Sequence, residues 1–362
     1  MTDIPVRRSD KVLTDEELWP AEYLAEDRPP RSLAVPWLMH VEVTTNCPLA
    51  CPQCYVKAAG GQDIEWTVLA AYISEAGALG VRQLALSGGE PLVYPELAAA
   101  VRLATAAGLE TAIATSGVGL TAELAAELAA GGVGSIWLSL NGSREEIHAL
   151  SRTCFRETVA AAGLLRQNGM PFHINWVARQ DNAGDFPALV TKARELGAAS
   201  INVLMLKPDA RHGAAAALAG EDFFRLAAFL RNFDDAALPI GIESCYPALR
   251  LAVYGQAFTG IEAGCGAGRN TIAIDVSGRM RPCRHLDYPE AGLTIGEYWR
   301  QSPVLAGLRG TEDTIGAPCR QCAQNAYCRP CRAKGDKLYD NVTAGDRQCP
   351  MALRAVARRF FV

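Results

Sequence analysis

Residues 38–54 read LMHVEVTTNCPLACPQC. The first seven are a strand candidate, and the loop after them holds Cys47, Cys51 and Cys54 at C-x3-C-x2-C spacing. Pro48 and Pro52 remove backbone freedom and help preset that loop. Three thiolates on one tight loop can reach three corners of a cuboidal iron–sulfur cluster, since thiolates prefer soft iron–sulfur or zinc centres. A structural zinc site wants four ligands, so a count of three leaves one iron open to another ligand. On this stretch alone a zinc-binding or structural cysteine loop is the alternative.

Further strand candidates follow at 83–87, 111–115, 135–140, 172–178, 200–206 and, more weakly, 239–243. Helical patterns lie between them, at 65–79, 96–107, 122–130, 158–168 and 185–196. Strands alternating with single helices imply βα units and a parallel sheet. Five or six such units suit either an open doubly wound sheet or a partial barrel, and periodicity does not choose between them.

The chain has 362 residues, 35 Lys+Arg against 39 Asp+Glu, and a formal net charge of -4. With 49% hydrophobic and 20% charged residues the composition is globular, which excludes wholesale disorder. The mildly acidic balance offers no reason to expect nucleic acid. The first residues carry charges throughout and lack the apolar core of a secretory signal. No run of 18 apolar residues occurs, so no membrane partner is expected. A cytoplasmic location follows as the expectation, and there thiols stay reduced. Twelve cysteines then point to metal ligands or catalysis rather than disulfides.

After about residue 255 turn residues, Cys and Arg become frequent. Residues 271–276 and 279–282 read as a β-hairpin around Ser277-Gly278. Cys265 and Cys283 bracket it, Cys319, Cys322, Cys328 and Cys331 follow as C-x2-C-x5-C-x2-C, and Cys349 closes the set. Zinc ribbons separate their knuckles by roughly 15–20 residues, whereas here five intervene. So loop-rich a segment buries little core and needs metal to hold it. One helix is expected near 15–26 and a short basic one at 351–362.

The cysteine loop and its position resemble the radical S-adenosylmethionine (SAM) superfamily, whose members carry C-x3-C-x-aromatic-C after the first strand of a partial (β/α)6 barrel. Gln53 stands where the aromatic residue would, and Tyr55 follows. The segment Ser87-Gly88-Gly89-Glu90-Pro91 is similar to the family's GGE-P segment. By that resemblance Gly88, Gly89 and Glu90 bind the amino group of SAM. Glycine lets backbone approach a ligand, and a carboxylate pairs with an ammonium. Ser139, in a segment resembling S-x-D-G with Asn141 for the Asp, is expected near the ribose or carboxylate of SAM. Arg152 matches a family arginine that pairs with the SAM carboxylate. Ser116 and Asn175 are further cofactor candidates, with local hydrogen bonding the alternative for both and for Asn141.

The tail resembles the SPASM domain, the twin-cluster extension of one radical SAM subfamily, with x2 in place of x3 before Cys331. The resemblance implies three 4Fe-4S clusters: the SAM-binding one on Cys47, Cys51 and Cys54, and two auxiliary ones. Cys265, Cys283 and Cys331 take the first auxiliary cluster, and Cys319, Cys322, Cys328 and Cys349 the second. The first is one ligand short. Either its iron is open or another residue binds it, and Cys245 is a candidate outside the pattern.

The implied organisation is an extension at 1–36, an α/β partial (β/α)6 TIM-like barrel at 37–255, a small loop-rich iron–sulfur SPASM domain at 256–350 and a helix at 351–362. The implied chemistry is reductive cleavage of SAM to a 5'-deoxyadenosyl radical that takes a hydrogen atom from substrate. The substrate expected is a ribosomally made peptide, with crosslinking, epimerisation or oxidation as the outcome. A small metabolite is the alternative, and a non-catalytic iron–sulfur electron carrier a distant one. Implied partners are an electron donor such as flavodoxin or ferredoxin and, since only about 36 residues precede the barrel, a separate leader-peptide-binding protein or another surface. For catalysis Cys154 and Cys245 are candidates, because a thiol can return a hydrogen atom to a substrate radical. Their alternative is burial as small apolar residues. Lys207, Asp209, Arg211 and His212 lie where parallel-sheet sites form.

Overall fold

The computed structural model describes residues 31–56, 61–207, 216–255 and 264–353. The expected helices near 15–26 and beyond 353, and Asp209, Arg211 and His212, lie outside them.

Seven strands alternate with helices: β1 Leu38–Thr44, α1 Trp66–Leu79, β2 Gln83–Gly88, α2 Leu97–Ala106, β3 Glu110–Thr115, α3 Ala122–Ala130, β4 Ser135–Ser139, α4 Glu145–Ala149, α5 Phe155–Gln167, β5 Phe172–Ala178, α6 Phe186–Leu196, β6 Ser200–Met205, α7 Gly220–Asn232 and β7 Ile240–Ile242. Neighbouring strands among the seven pair parallel, as crossover helices require. Then α8 (Pro247–Tyr254) leads toward the tail, where β8 (Thr271–Ile274) and β9 (Met280–Arg281) form the expected hairpin. Sequence did not show where β8 docks. It pairs parallel with β1, giving the order β7-β6-β5-β4-β3-β2-β1-β8-β9. The sheet is open, since β7 and β9 are its two edges.

Alternation assigns the faces. Met39, Val41 and Val43, then Leu84 and Leu86, Ile136 and Leu138, and Ile201 and Val203 enter the main core, together with α1 residues Leu69 and Ile73. Period-two side-chain direction sends His40 and Glu42 to the other face, and β1 is buried on both. On that inner face, Leu38, Ala85, Ala112 and Trp137 form a plug near the strand starts. Register puts Ser139 beside Asn175 and Asn175 beside Asn202. Residues of β1, β4, β5 and β6 border one cavity, so the sheet wraps around it as a partial barrel.

The tail adds α9 (Ile295–Gln301), α10 (Pro303–Arg309) and α11 (Arg332–Tyr339) among loops. The N-terminus of α9 has a capping box between Thr294 and Glu297, and Trp299 donates to the Leu33 carbonyl at 2.9 Å. Among the described residues no helix is long and apolar enough to cross a membrane.

Candidate active site

The cysteine loop springs from the C-terminal end of β1, where parallel βα folds place their sites. Its stem is tied down locally. Thr44 and Asn46 side chains donate to the Asp63 carboxylate at 2.5 and 3.0 Å, and the Thr45 N–H donates to the Gln62 carbonyl at 2.7 Å. Cys47, Cys51 and Cys54 are all half-buried and border the cavity. Burial pushes the Cys51 thiol up, opposed by Arg152, whose guanidinium reaches within 4.0 Å of the Cys51 sulfur.

The end of β2 packs hard against that stem. Gly89 N–H donates to the Thr44 carbonyl at 2.6 Å, and Glu90 N–H to the Asn46 carbonyl at 2.8 Å. A Cβ on Gly88, at φ +134°, would fall 2.2 Å from the Thr44 oxygen, and one on Gly89 2.2 Å from the Asn46 oxygen. The glycine pair is thus required by the approach of two backbones as well as by any ligand.

Glu90 is buried, and burial raises its carboxyl above the usual range against the pull of its hydrogen bonds. It accepts from Thr115 Oγ1 at 2.5 Å, from Ser116 N–H at 2.8 Å, from Ser116 Oγ at 2.5 Å and from Leu92 N–H at 3.2 Å. Ser116 therefore orients Glu90. Ser139, Arg152 and Asn175 border the same cavity, and Asn175 Oδ1 accepts from Asn202 at 3.3 Å.

Two residues sit elsewhere. Asn141 is buried away from the cavity lining, donating to Ser151 and accepting from Val177 N–H, both at 2.9 Å. Cys154 is buried against His148 Nε2 at 3.6 Å and Thr158 Oγ1 at 3.7 Å, off the cavity lining. That surrounding fits the small-apolar alternative.

Sequence reasoning singled out Lys207 but missed the rest of a polar group in the cavity. His40, Tyr55, Arg284 and His285 line it, together with the Lys207–Glu243 ion pair. Burial, reinforced by Arg284, pushes the His40 imidazole well below its ordinary value, and burial with Lys207 and Arg284 does so for His285. Burial alone would lower the Lys207 ammonium, but Glu243 overrides it and holds it above its ordinary value. The Arg284 guanidinium lies 5.6 Å from the Tyr55 ring centre, and the His285 and Tyr55 rings are 4.4 Å apart. The signal was present in β1, where His40 and Glu42 interrupt an apolar run at alternate positions.

The tail cysteines gather in two groups. Cys265 and Cys331 share a small apolar nest with Ala267, Leu286, Leu308 and Ala333, and Cys245 and Cys283 pack against it. Cys328 sits in the second group. Burial raises its thiol, then the neighbouring Cys349, Cys319 and Cys322. Asp346 N–H donates to the Cys319 sulfur at 3.2 Å, and its carboxylate holds Lys334 at 2.7 Å. Among the described residues no three His, Cys, Asp or Glu side chains close on a single metal ion.

The donor set nevertheless suits iron–sulfur chemistry and an organic ligand beside it. Three thiols, a buried carboxylate and a guanidinium surround a cavity of about 260 Å³. Both amide atoms of Gln53 and Nδ1 of His40 are buried there without hydrogen-bond partners. Buried polar atoms rarely stay unpaired, so the cavity has polar capacity that a ligand can use.

A parallel strand–helix barrel with a three-cysteine loop on β1 and a cysteine-rich tail defines a class of iron–sulfur enzymes. A sequence model of the Radical SAM superfamily matches residues 41–193. The AdoMet-dependent heme synthase of Methanosarcina barkeri is 26% identical, over 83% of this chain and 92% of that protein. The PqqA peptide cyclase of Ruegeria pomeroyi is 30% identical, over 89% of each. Streptococcus suis SuiB, solved bound to S-adenosylmethionine, superposes with a TM-score of 0.73 at 19% identity, covering 88% of this chain and 78% of that one. The chain belongs to the radical SAM superfamily, in its branch with a SPASM-type tail. It is an enzyme whose cofactor is S-adenosylmethionine.

Proposed function

We propose that this enzyme modifies a ribosomally made peptide, and that Cys47, Cys51 and Cys54 hold its SAM-binding cluster. Cys265, Cys283 and Cys331 take one auxiliary cluster, and Cys319, Cys322, Cys328 and Cys349 the other. The domain division at about residue 255 goes with this assignment. When bound, the loop cluster supplies the electron that cleaves SAM to methionine and a 5'-deoxyadenosyl radical, which takes a hydrogen atom from substrate.

The chain's own residues do the rest. Glu90, held by Thr115 and Ser116, receives the amino group of SAM beside Gly88 and Gly89. Arg152 pairs with its carboxylate, and Ser139 and Asn175 face its ribose side. The buried barrel wall excludes water from the reacting atoms. The carrying observation is that the loop cysteines, Glu90, Arg152, Cys265 and Cys283 all border one cavity. An electron carrier has no need of such a shared chamber.

The peptide reading is supported by the relative named a PqqA peptide cyclase and by SuiB, also solved bound to precursor peptide SuiA. A flavodoxin or ferredoxin as electron donor and a separate leader-binding protein belong to the same proposal. The test is anaerobic reconstitution with SAM and dithionite, assaying 5'-deoxyadenosine. Cys47→Ala should abolish it while the tail keeps its iron. Mass spectrometry of a peptide encoded beside the gene then decides the substrate. A change in a small metabolite instead, the chemistry that the relative named a heme synthase suggests, would replace the peptide reading.

A further inference from the structure

We propose that Cys245 supplies the fourth thiolate of the first auxiliary cluster, from the barrel side and outside the tail's cysteine pattern. The inference rests on the reading above that Cys265, Cys283 and Cys331 hold that cluster. Those three leave one iron unfilled, and no cysteine lies between 265 and 283.

Cys245 lies between β7 and α8, 20 positions before Cys265 in the chain. In space it belongs with the tail. It packs with Cys283 against the nest that Cys265 and Cys331 form. All four cysteines border the cavity. The backbone that carries it is fixed. Glu243 N–H donates to the Val203 carbonyl at 3.1 Å, and Tyr246 N–H to the Glu243 carbonyl at 2.9 Å. The Glu243 carboxylate is pinned by Lys207 at 2.5 Å. The facing segment is tied as well, since Cys265 N–H donates to the Arg329 carbonyl at 2.8 Å. Four thiols from four separate stretches of the chain border one cavity, and backbone hydrogen bonds hold the chain beside Cys245 and at Cys265.

The chemistry balances without another reactant. Each thiol releases its proton to solvent as its sulfur bonds iron, and no electron moves in that step. Two consequences follow. The cluster has no open iron for a substrate thiolate, and a sulfur committed to iron does not serve as a free hydrogen-atom donor. The ligand set also bridges the β7 end of the barrel and the tail, so loading this cluster ties the two together.

Thiol labelling tests this without a variant. Cys245 and Cys283 are the two of the four that are not fully buried. In cluster-loaded protein both should resist iodoacetamide, and both should label after iron is stripped by a chelator. Labelling of Cys245 in loaded protein while Cys283 stays protected overturns the proposal. Labelling of both in loaded protein removes the auxiliary-cluster reading itself, and the proposal with it. A second measurement uses Cys245→Ala in a background with Cys47, Cys51 and Cys54 changed to alanine. Loss of one cluster's iron, or conversion to a three-iron species by electron paramagnetic resonance, supports ligation. Iron content and spectrum identical to the background overturn it. Should the alanine variant fail to fold, Cys245→Ser keeps a weaker oxygen ligand and should shift the spectrum of that cluster alone, and an unshifted spectrum counts against ligation.

Discussion

Ser116 donates twice to one carboxylate, its N–H at 2.8 Å and its hydroxyl at 2.5 Å to Oε2 of Glu90. The pair joins the ends of β3 and β2 and aims a buried acid into the cavity. A hydrogen bond to a charged group contributes about 1.5–3 kcal/mol. Ser116→Ala removes the hydroxyl and leaves the N–H, so SAM affinity should fall about tenfold by equilibrium dialysis. Glu90→Gln removes the charge and turns a donor toward Ser116, and should lose considerably more. Equal affinities for the two variants would mean that Ser116 acts on SAM directly.

Gly89→Ala should be more damaging than its size suggests. The added carbon would overlap the Asn46 carbonyl, which is backbone and has nowhere to retreat. The expected result is loss of iron at the cysteine loop with iron in the tail retained, read by iron analysis against Cys47→Ala. Gly88→Ala adds an unfavourable backbone conformation, at φ +134°, and should do the same.

The barrel was largely legible because its signal is local. Each strand candidate from 38 to 206 reappears within a residue or two, since apolar runs and helical periodicity are read within a short window. The cysteines of the candidate site were equally plain. What stayed hidden were pairings between distant segments. Nothing in 271–274 announces that it will lie beside β1, and Cys245, named as a candidate ligand, carries no spacing signal that places it against the nest of Cys265 and Cys331. Ser116 was expected near the cofactor, but its bond to Glu90 depends on how the ends of β2 and β3 meet, which spacing along the chain does not encode. The capping box of α9 is a local signal that the reading of the tail as loop-rich passed over, and the short helix after it was obscured by the surrounding loops.

His148 should make the fold acid-sensitive. Burial first, and Arg152 second, lower its imidazole from 6.5 to about 4, and neutral Nδ1 accepts the Asn141 N–H at 3.1 Å. Between those two values the unfolded chain binds a proton that the fold does not. Stability from this group is therefore full above pH 6.5 and is lost as pH falls toward 4, by at most about 3 kcal/mol. His148→Asn keeps an acceptor and does not titrate. Compared in the same cluster state, the variant should show a shallower fall in melting temperature across that window. Parallel slopes would mean that other groups carry the acid response.

Lys207 and Glu243 offer the sharpest separation of charge from shape. The two side chains are 13% and 9% exposed, and the carboxylate also accepts from the Met205 N–H. Breaking one side of a buried pair leaves an uncompensated charge and costs about 3–5 kcal/mol, whereas replacing both with apolar groups of similar volume is often close to neutral. Lys207→Met should lower the melting temperature strongly. Adding Glu243→Leu to it should recover much of that loss, less the bond from Met205. The same double variant frees the segment before Cys245, so if the pair also positions that thiol, iron at the first auxiliary site should fall even where the melting temperature recovers. Recovery of both would confine the pair to stability, and no recovery of either would mean that the hydrogen bonds to Glu243 outweigh its charge.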